Sequence, residues 1–401
     1  MNWLNMLCDG FFWLMAAFGV CFAVLSAGCL LPARQTEVPQ RHMRFAVLIP
    51  ARNESRCVAG IIESLERQEY PREQVDIYVI PNNCTDDTAE CAAAAGAKIL
   101  GVSAAVRNKG DALHEAFDRL LAMKKYDAFC VFDADNEVNA CFLAEMNRAL
   151  QGNVRVAKSR IHAKNAHESW VCACYEIFFC NANRLLNGAR ERWGLSARLI
   201  GTGFAVRQDL MEELEGWNTR SLTEDAEFYA MLAARGERIA FVPQAVTYDE
   251  EPLSFAQSLI QRRRWMSGIM EVARHQSGIL LKSGVRNRKR QFALDAWMQL
   301  SYTRLQAWLL PVLLLQCVTS PADGVTMLVQ AAVRFFGVTL LLGLVCLVAE
   351  RRLNRHTLLA LPLYPLFIAS FLPLQTWSLL VPNQTWKAIP HSGVRLHAET
   401  L

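Results

Sequence analysis

The apolar residues of this chain are placed so unevenly that they decide what it can fold into. Phe11 to Leu31 carries no charged side chain and is long enough to cross about 30 Å of hydrocarbon as a helix. Apolar runs return at Leu305 to Val318, Val325 to Ala349 and Leu358 to Val381, while the stretch between them is rich in acidic residues. Such a pattern predicts a membrane protein with a globular insert. With 52% hydrophobic and 20% charged residues, a disordered chain is excluded, and no period of solenoid length recurs. The expected division is an N-terminal helix and linker (1–43), a catalytic domain (44–250), interfacial helices (251–300) and a C-terminal membrane region with its tail (301–401).

A cleaved signal peptide would need a basic leader, whereas Met1 to Gly10 contains Asp9 and no Lys or Arg. Arg34, Arg41 and Arg44 follow the first span, so the positive-inside rule places the amino terminus outside and the insert in the cytoplasm. Arg351, Arg352, Arg355 and His356 separate the last two runs, and the turn Ser320 to Gly324 carries one Asp. The three C-terminal runs are therefore expected to go out, back and out again. Pro362, Pro365 and Pro373 interrupt the last of them and leave a re-entrant hairpin as the alternative. Arg334 either lines a pathway or snorkels to the interface. The thirteen cysteines form no C-x-x-C pair and read as reduced thiols. A net charge of +4 without a basic stripe excludes a nucleic-acid partner.

Within the insert, strand-length runs at Phe45 to Ile49, Val75 to Ile80, Ala97 to Leu100 and Ala128 to Phe132 alternate with helical patterns at Ala59 to Glu69, Thr85 to Ala95 and Lys109 to Leu121. Alternation of this kind predicts a mostly parallel sheet covered on both faces, with ligands at the carboxyl ends of its strands. Arg52-Asn53-Glu54 and Asn82-Asn83-Cys84-Thr85-Asp86 fill two such ends, where free backbone N–H groups favour a phosphate, although helix capping explains part of the pattern. Lys109 and Gly110 open the next helix and suit a phosphate or a sharp turn. Walker and G-x-G-x-x-G patterns are both missing from the sequence. Asp133-Ala134-Asp135 leaves a buried strand directly, and two carboxylates there are costly to hold without a cation such as Mg²⁺ or Mn²⁺. Thr223-Glu224-Asp225 reads alone as an acidic helix start, and Gln261-Arg262-Arg263-Arg264-Trp265 as a juxtamembrane basic patch.

Taken in order, Asp-x-Asp, Thr-Glu-Asp and Gln-x-x-Arg-Trp resemble the membrane-integrated, inverting family 2 glycosyltransferases, the group of cellulose, chitin and hyaluronan synthases and ceramide glucosyltransferase. The similarity runs from about Phe45 to Gly268 and implies a GT-A α/β domain inserted between transmembrane helices. It implies that Asp133 and Asp135 hold a divalent cation on the nucleotide diphosphate and that Asp225 is the general base on the acceptor hydroxyl. Gln261 and Arg264 would contact the diphosphate, with Trp265 as a platform for the acceptor. The resemblance also gives Arg52, Asn53, Glu54, Asn82, Asn83 and Asp86 to the uridine, Lys109 to the nucleotide sugar, and Gly201, Thr202, Gly203 and Glu224 to the acceptor side. Where many relatives carry an Asp after the second strand, this chain has Pro81-Asn82-Asn83, which still offers a carbonyl and an NH₂ to uracil. Thr385 to His391 resembles a segment near the active site in relatives, yet the span count places it outside. The implied activity is β-glycoside formation from a UDP-sugar at a bacterial cell membrane. Elongation of a secreted polysaccharide leads, transfer to a lipid acceptor is the alternative, and a nucleotide-sugar sensor without turnover belongs to a third class.

Overall fold

The computed structural model describes residues 3–32, 41–152, 154–286, 289–381 and 391–396. Its strands are β1 (Phe45–Ala51), β2 (Val75–Pro81), β3 (Lys98–Ile99), β4 (Ala128–Val131), β5 (Glu137–Val138), β6 (Val156–Ala163), β7 (Phe204–Arg207) and β8 (Ile239–Asp249). They form one sheet in the order β3-β2-β1-β4-β7-β6-β8-β5. β7 runs antiparallel to β4 and β6, and β5 antiparallel to β8, while the other pairings are parallel. The expected mostly parallel sheet is thus observed with two reversed strands.

Continuous apolar strands are needed because both faces are covered. Phe45, Val47 and Ile49 of β1 point to a layer containing Ile61, Leu65 and Phe142, and Ala46 and Leu48 point to the opposite layer with Leu113, Phe117 and Phe228. Alternation of side chains along a strand makes each such run serve two cores at once. All thirteen cysteines are free, in agreement with the reduced-thiol reading.

Among the described residues, three stretches are long and apolar enough to cross a membrane, at Trp3–Leu30, Gly324–Ala349 and Arg355–Leu380. The expected span at Leu305 to Val318 is the distal part of a longer helix, Arg290–Thr319. Asn5 Nδ2 donates to Ser320 Oγ at 2.9 Å, so the start of the first helix meets the turn before the helix Pro321–Ala349. At its other end, Trp193 Nε1 donates to Leu25 O at 3.0 Å and Arg192 to Cys29 O at 2.6 Å. The first helix therefore reaches from the catalytic domain to the far end of the bundle. Arg334 is exposed on the outer surface of its helix, which matches the snorkelling reading better than a pathway.

The last apolar stretch, expected as an outward crossing with a re-entrant hairpin as the alternative, is not one straight helix. Its prolines divide it into Arg355–Ala360, a 3₁₀ turn at Leu361–Leu363, Tyr364–Ala369 and Phe371–Leu380. Its pieces pack on neighbouring helices: Asn181 Nδ2 donates to Tyr364 Oη at 2.8 Å, Arg262 Nη1 to Phe367 O at 2.9 Å, Ser267 Oγ to Ser378 Oγ at 3.1 Å, and Thr376 Oγ1 to Ala307 O at 2.8 Å. The chain then returns to the catalytic domain at His391, not to the far side. Of the segment Thr385 to His391, only His391 lies within the described residues.

A buried bidentate pair joins the helix Ala189–Trp193 to the long helix Arg290–Thr319. Arg190 meets Asp295 at 2.7 and 2.9 Å, and Gln299 Nε2 donates to both Asp295 Oδ2 (2.9 Å) and Tyr229 Oη (3.0 Å). Removing one member of such a pair leaves the other charge uncompensated. Arg190→Leu is expected to cost about 3–5 kcal/mol, and Arg190→Leu with Asp295→Leu clearly less, read from thermal unfolding in detergent.

Candidate active site

The carboxyl ends of β1, β2 and β4 open onto a cavity of about 760 Å³. Arg52, Glu54, Asn82, Lys109, Asp133 and Asp135 line it, with Gly201, Glu224 and Asp225 facing them. Three residues expected on the nucleotide lie off this wall and brace the loops instead. Asn53, at φ 59°, accepts from Thr85 N at 2.8 Å; Asn83, at φ 50°, donates to Val106 O at 2.7 Å; Asp86 accepts from Ser55 N and Thr88 N, each at 3.2 Å. Asn and Asp tolerate such backbone because their short side chains bond locally. A second groove of about 1150 Å³ lies at the amino ends of the strands, beside Asp127, Val154 and Arg207. It contains none of the motif residues.

Lys109 is the hub of the acidic cluster. Its Nζ donates to Asp133 Oδ1 at 2.6 Å and Gly201 O at 3.0 Å and lies 3.3 Å from Glu224 Oε1. Burial alone would lower its pKa, but the Asp133 and Glu224 carboxylates outweigh that and push it above the ordinary lysine range. The lysine read from sequence as a phosphate contact is thus occupied in joining carboxylates. Gly201 completes the link, since its N–H donates to Asp225 Oδ2 at 2.6 Å. Asp133, Glu224 and Asp225 are brought together around one residue of backbone.

Thr202 and Gly203, expected on the acceptor side, support this arrangement from behind. Thr202 is buried; its Oγ1 accepts from Asp133 N at 3.0 Å and donates to Asn136 Oδ1. Gly203 adopts φ 64°, and a Cβ there would stand 2.3 Å from Thr247 Oγ1 and 2.4 Å from Ser159 Oγ, so only glycine lets β7 begin here.

The Asp133/Asp135 pair has company that the sequence did not reveal. Asp249, at the end of β8, accepts from Asn136 Nδ2 at 2.8 Å, and burial beside Asp135 and Asp133 pushes its carboxyl well above the usual range. Burial and the neighbouring Asp133 and Glu54 also raise Asp135. His391 stands between them, Nδ1 3.0 Å from Glu54 Oε2 and Nε2 3.7 Å from Asp135 Oδ2. Burial works against its charge, yet Asp135, Cys57 and Glu54 push it up to about 12. Like charges crowded into a buried space, with carboxylate oxygens as donors, suit a hard divalent cation. Nothing in the spacing of His391, more than two hundred residues after Asp135, signals this neighbourhood; Asp249 was legible only as the acid ending an apolar run.

Gln261, Arg264 and Trp265 form the opposite wall, on the helix Phe255–Arg286. Gln261 Oε1 accepts from Tyr175 Oη at 2.7 Å, and Trp265 meets the Tyr175 ring edge-on at 6.1 Å. Arg264 has no ion-pair partner among the described residues. Arg262, by contrast, is buried against Phe367 with 4.1 Å from guanidinium to ring centroid, and is structural. Beyond Trp265 the cavity continues between the membrane helices, where Phe22, Leu186, Phe335, Leu342, Ile368 and Phe371 line it. One end is therefore acidic and polar, and the other is hydrocarbon.

Residues 41–268 match the family described as glycosyltransferase like family 2. The probable glycosyltransferase YdaM of Bacillus subtilis is 29% identical over 233 residues, covering 56% of this chain and 55% of that protein. The beta-monoglucosyldiacylglycerol synthase of a Nostoc species is 28% identical over 262 residues, covering 61% and 53%. The chain thus spans about half the length of these curated relatives. The mannosyltransferase PcManGT from Pyrobaculum calidifontis, solved with GDP-Man and Mn²⁺, superposes with a TM-score of 0.61 at 15% identity over 92% of this chain and 98% of that one, which shows a shared fold. With more than half of its length matched, the chain belongs to the family 2 glycosyltransferases and carries their GT-A fold.

Proposed function

We propose that this protein is an inverting glycosyltransferase that moves a sugar from a nucleotide diphosphate sugar to an acceptor presented by a membrane lipid, forming a β-glycosidic bond. The observation that carries the reading is the continuity of a single cavity from Asp133 and Asp225 to the apolar chamber around Phe335 and Phe371. A growing glycan needs hydroxyl partners along its path, whereas this chamber offers hydrocarbon contacts suited to lipid chains. Gln261, Arg264 and Trp265 on the same wall support chain elongation as the second reading. UDP-glucose and UDP-N-acetylglucosamine are the donors to test first.

Asp133 and Asp135 would hold a Mg²⁺ or Mn²⁺ ion, with Asp249 within reach, and the cation would supply charge stabilisation for the departing diphosphate. The chain's own residues account for the rest. Arg264, without a protein anion, is available to the diphosphate oxygens, where a guanidinium in a partly dry site stabilises developing charge. Asp225 is aimed by the Gly201 amide, and its carboxylate takes the proton of an incoming hydroxyl. Attack opposite the leaving group inverts the anomeric centre.

With a hydroxyl-bearing acceptor, Asp225→Asn is expected to lower turnover by at least about 100-fold while nucleotide binding, measured by calorimetry, stays within a few-fold. Substantial turnover in that variant removes Asp225 from the base role. Chelation by EDTA and Asp135→Ala should each abolish release of the nucleoside diphosphate, and undiminished release would overturn the cation assignment. Lys109→Met, which strips two carboxylates of their shared partner, should cost roughly 3 kcal/mol in the nucleotide-free protein, with Mn²⁺ restoring part of the unfolding midpoint. With a labelled donor, one lipid-extractable product fits the lipid acceptor, and a ladder of lengths fits elongation instead.

A further inference from the structure

The cavity wall between Asp225 and the hydrocarbon chamber holds a cation that neither the reaction nor the fold uses. Arg198 lines the cavity, yet its guanidinium makes no ion pair or hydrogen bond among the described residues. The backbone beneath it is fixed, because Arg198 N donates to Asn187 Oδ1 at 2.9 Å and Asn187 Nδ2 donates back to Arg198 O at 3.2 Å. Asn187 belongs to the same turn as Leu185 and Leu186, which face the chamber. The charged groups nearest to Arg198 are already engaged. Asp295 is neutralised by Arg190, Asp225 holds the Gly201 amide, and Tyr229 Oη accepts from Gln299. Arg198 itself is buried deeply enough that desolvation lowers its pKa despite Tyr229 and Asp225 close by.

A buried guanidinium without an anion is costly, and the cost is removed when a ligand brings the anion. Building on the lipid-acceptor reading, we infer that Arg198 receives an anionic phosphate group in the acceptor's headgroup, so that the acceptor is a phosphate-bearing lipid and not a neutral one. This departs from what the name of the Nostoc relative says of that protein, a synthase named for diacylglycerol. Arg264 serves the donor diphosphate on the opposite wall, so the two guanidinia divide the two anions between them. In the transfer, the accepting oxygen bonds to the anomeric carbon as the bond from that carbon to the diphosphate oxygen breaks, and the electron pair leaves on the nucleoside diphosphate. The proton of a hydroxyl acceptor passes to Asp225, whereas an accepting phosphate oxygen has no proton to lose.

The full chain, in detergent, is assayed with phosphatidylglycerol, polyprenyl phosphate, diacylglycerol and a soluble oligosaccharide as acceptors. Turnover of at least one phosphate-bearing lipid, with acceptor KM raised about ten- to hundred-fold in Arg198→Gln, partly recovered in Arg198→Lys, and unchanged nucleotide affinity, is the expected result. Asp225→Asn separates the two sources of phosphate: it stops transfer to the phosphatidylglycerol hydroxyl and spares transfer to polyprenyl phosphate. Diacylglycerol used as well as the anionic lipids, with acceptor KM insensitive to Arg198→Gln, overturns the inference and leaves the lipid acceptor standing. Turnover with the oligosaccharide alone overturns the lipid-acceptor reading itself. The comparison of lipids by the unsubstituted protein decides the matter even if Arg198→Gln fails to fold.

Discussion

Repulsion among carboxylates at the carboxyl end of the sheet is the constraint on which the site is built. Asp133, Asp135, Glu224, Asp225 and Asp249 converge there from three separate segments, and each added charge raises the cost of burying the next. Lys109 binds Asp133 to Glu224, while Lys164, itself buried, donates to Asp135 O at 2.7 Å and lies 3.5 Å from Glu250. His391 arrives from the far end of the chain to face Glu54 and Asp135. These cations hold the acids in position but leave Asp135 and Asp249 incompletely compensated, as their raised carboxyls show. A site in that condition favours any ligand that brings positive charge, and a metal–nucleotide complex does so.

Much of this was legible in the residues. The strands β1, β2 and β4 were readable because they are largely buried on both faces and so consist of nearly continuous apolar runs, whereas β3 is short and exposed. The motif residues Asp133, Asp225, Gln261, Arg264 and Trp265 all line one cavity. Residues that bond within their own loops were harder to place. Asn53, Asn83 and Asp86 have the same chemistry whether they meet a uridine or a neighbouring amide, and only φ and distance tell the two apart. Thr202 and Gly203 likewise look like ligands in a Gly-Thr-Gly loop, although one holds the Asp133 amide and the other fits a close approach of three strands. His391 and Arg198 carry no local signature, because what makes them notable is the company that tertiary structure gives them.

The last apolar stretch shows why hydropathy alone does not give the shape of such a segment. Its composition equals that of a crossing helix, yet three prolines cut it into pieces whose freed backbone carbonyls need donors. Arg262 holds one piece: it donates to Phe367 O and to Ser370 Oγ at 2.9 and 2.7 Å while stacking on Phe367 and Phe371. An arginine buried among aromatic rings is thereby the anchor of that piece. Further along the chain His391 lies against the acidic cluster, 3.0 Å from Glu54 Oε2.

The same packing shapes the acceptor side. The segment from Tyr364 to Gln375 becomes one wall of the cavity, which Phe22 of the first helix and Phe335 of the helix Pro321–Ala349 also line. The helix Phe255–Arg286 stands between the two environments, with Arg264 and Trp265 toward the polar end and Arg262 buried in the aromatic layer. Consecutive turns of one helix thus face two solvents, and a substrate that is itself half ionic and half hydrocarbon is the kind of molecule that satisfies both. A purely polar acceptor would leave the chamber's apolar surface uncovered, and a purely apolar one would leave the guanidinium of Arg198 without an anion.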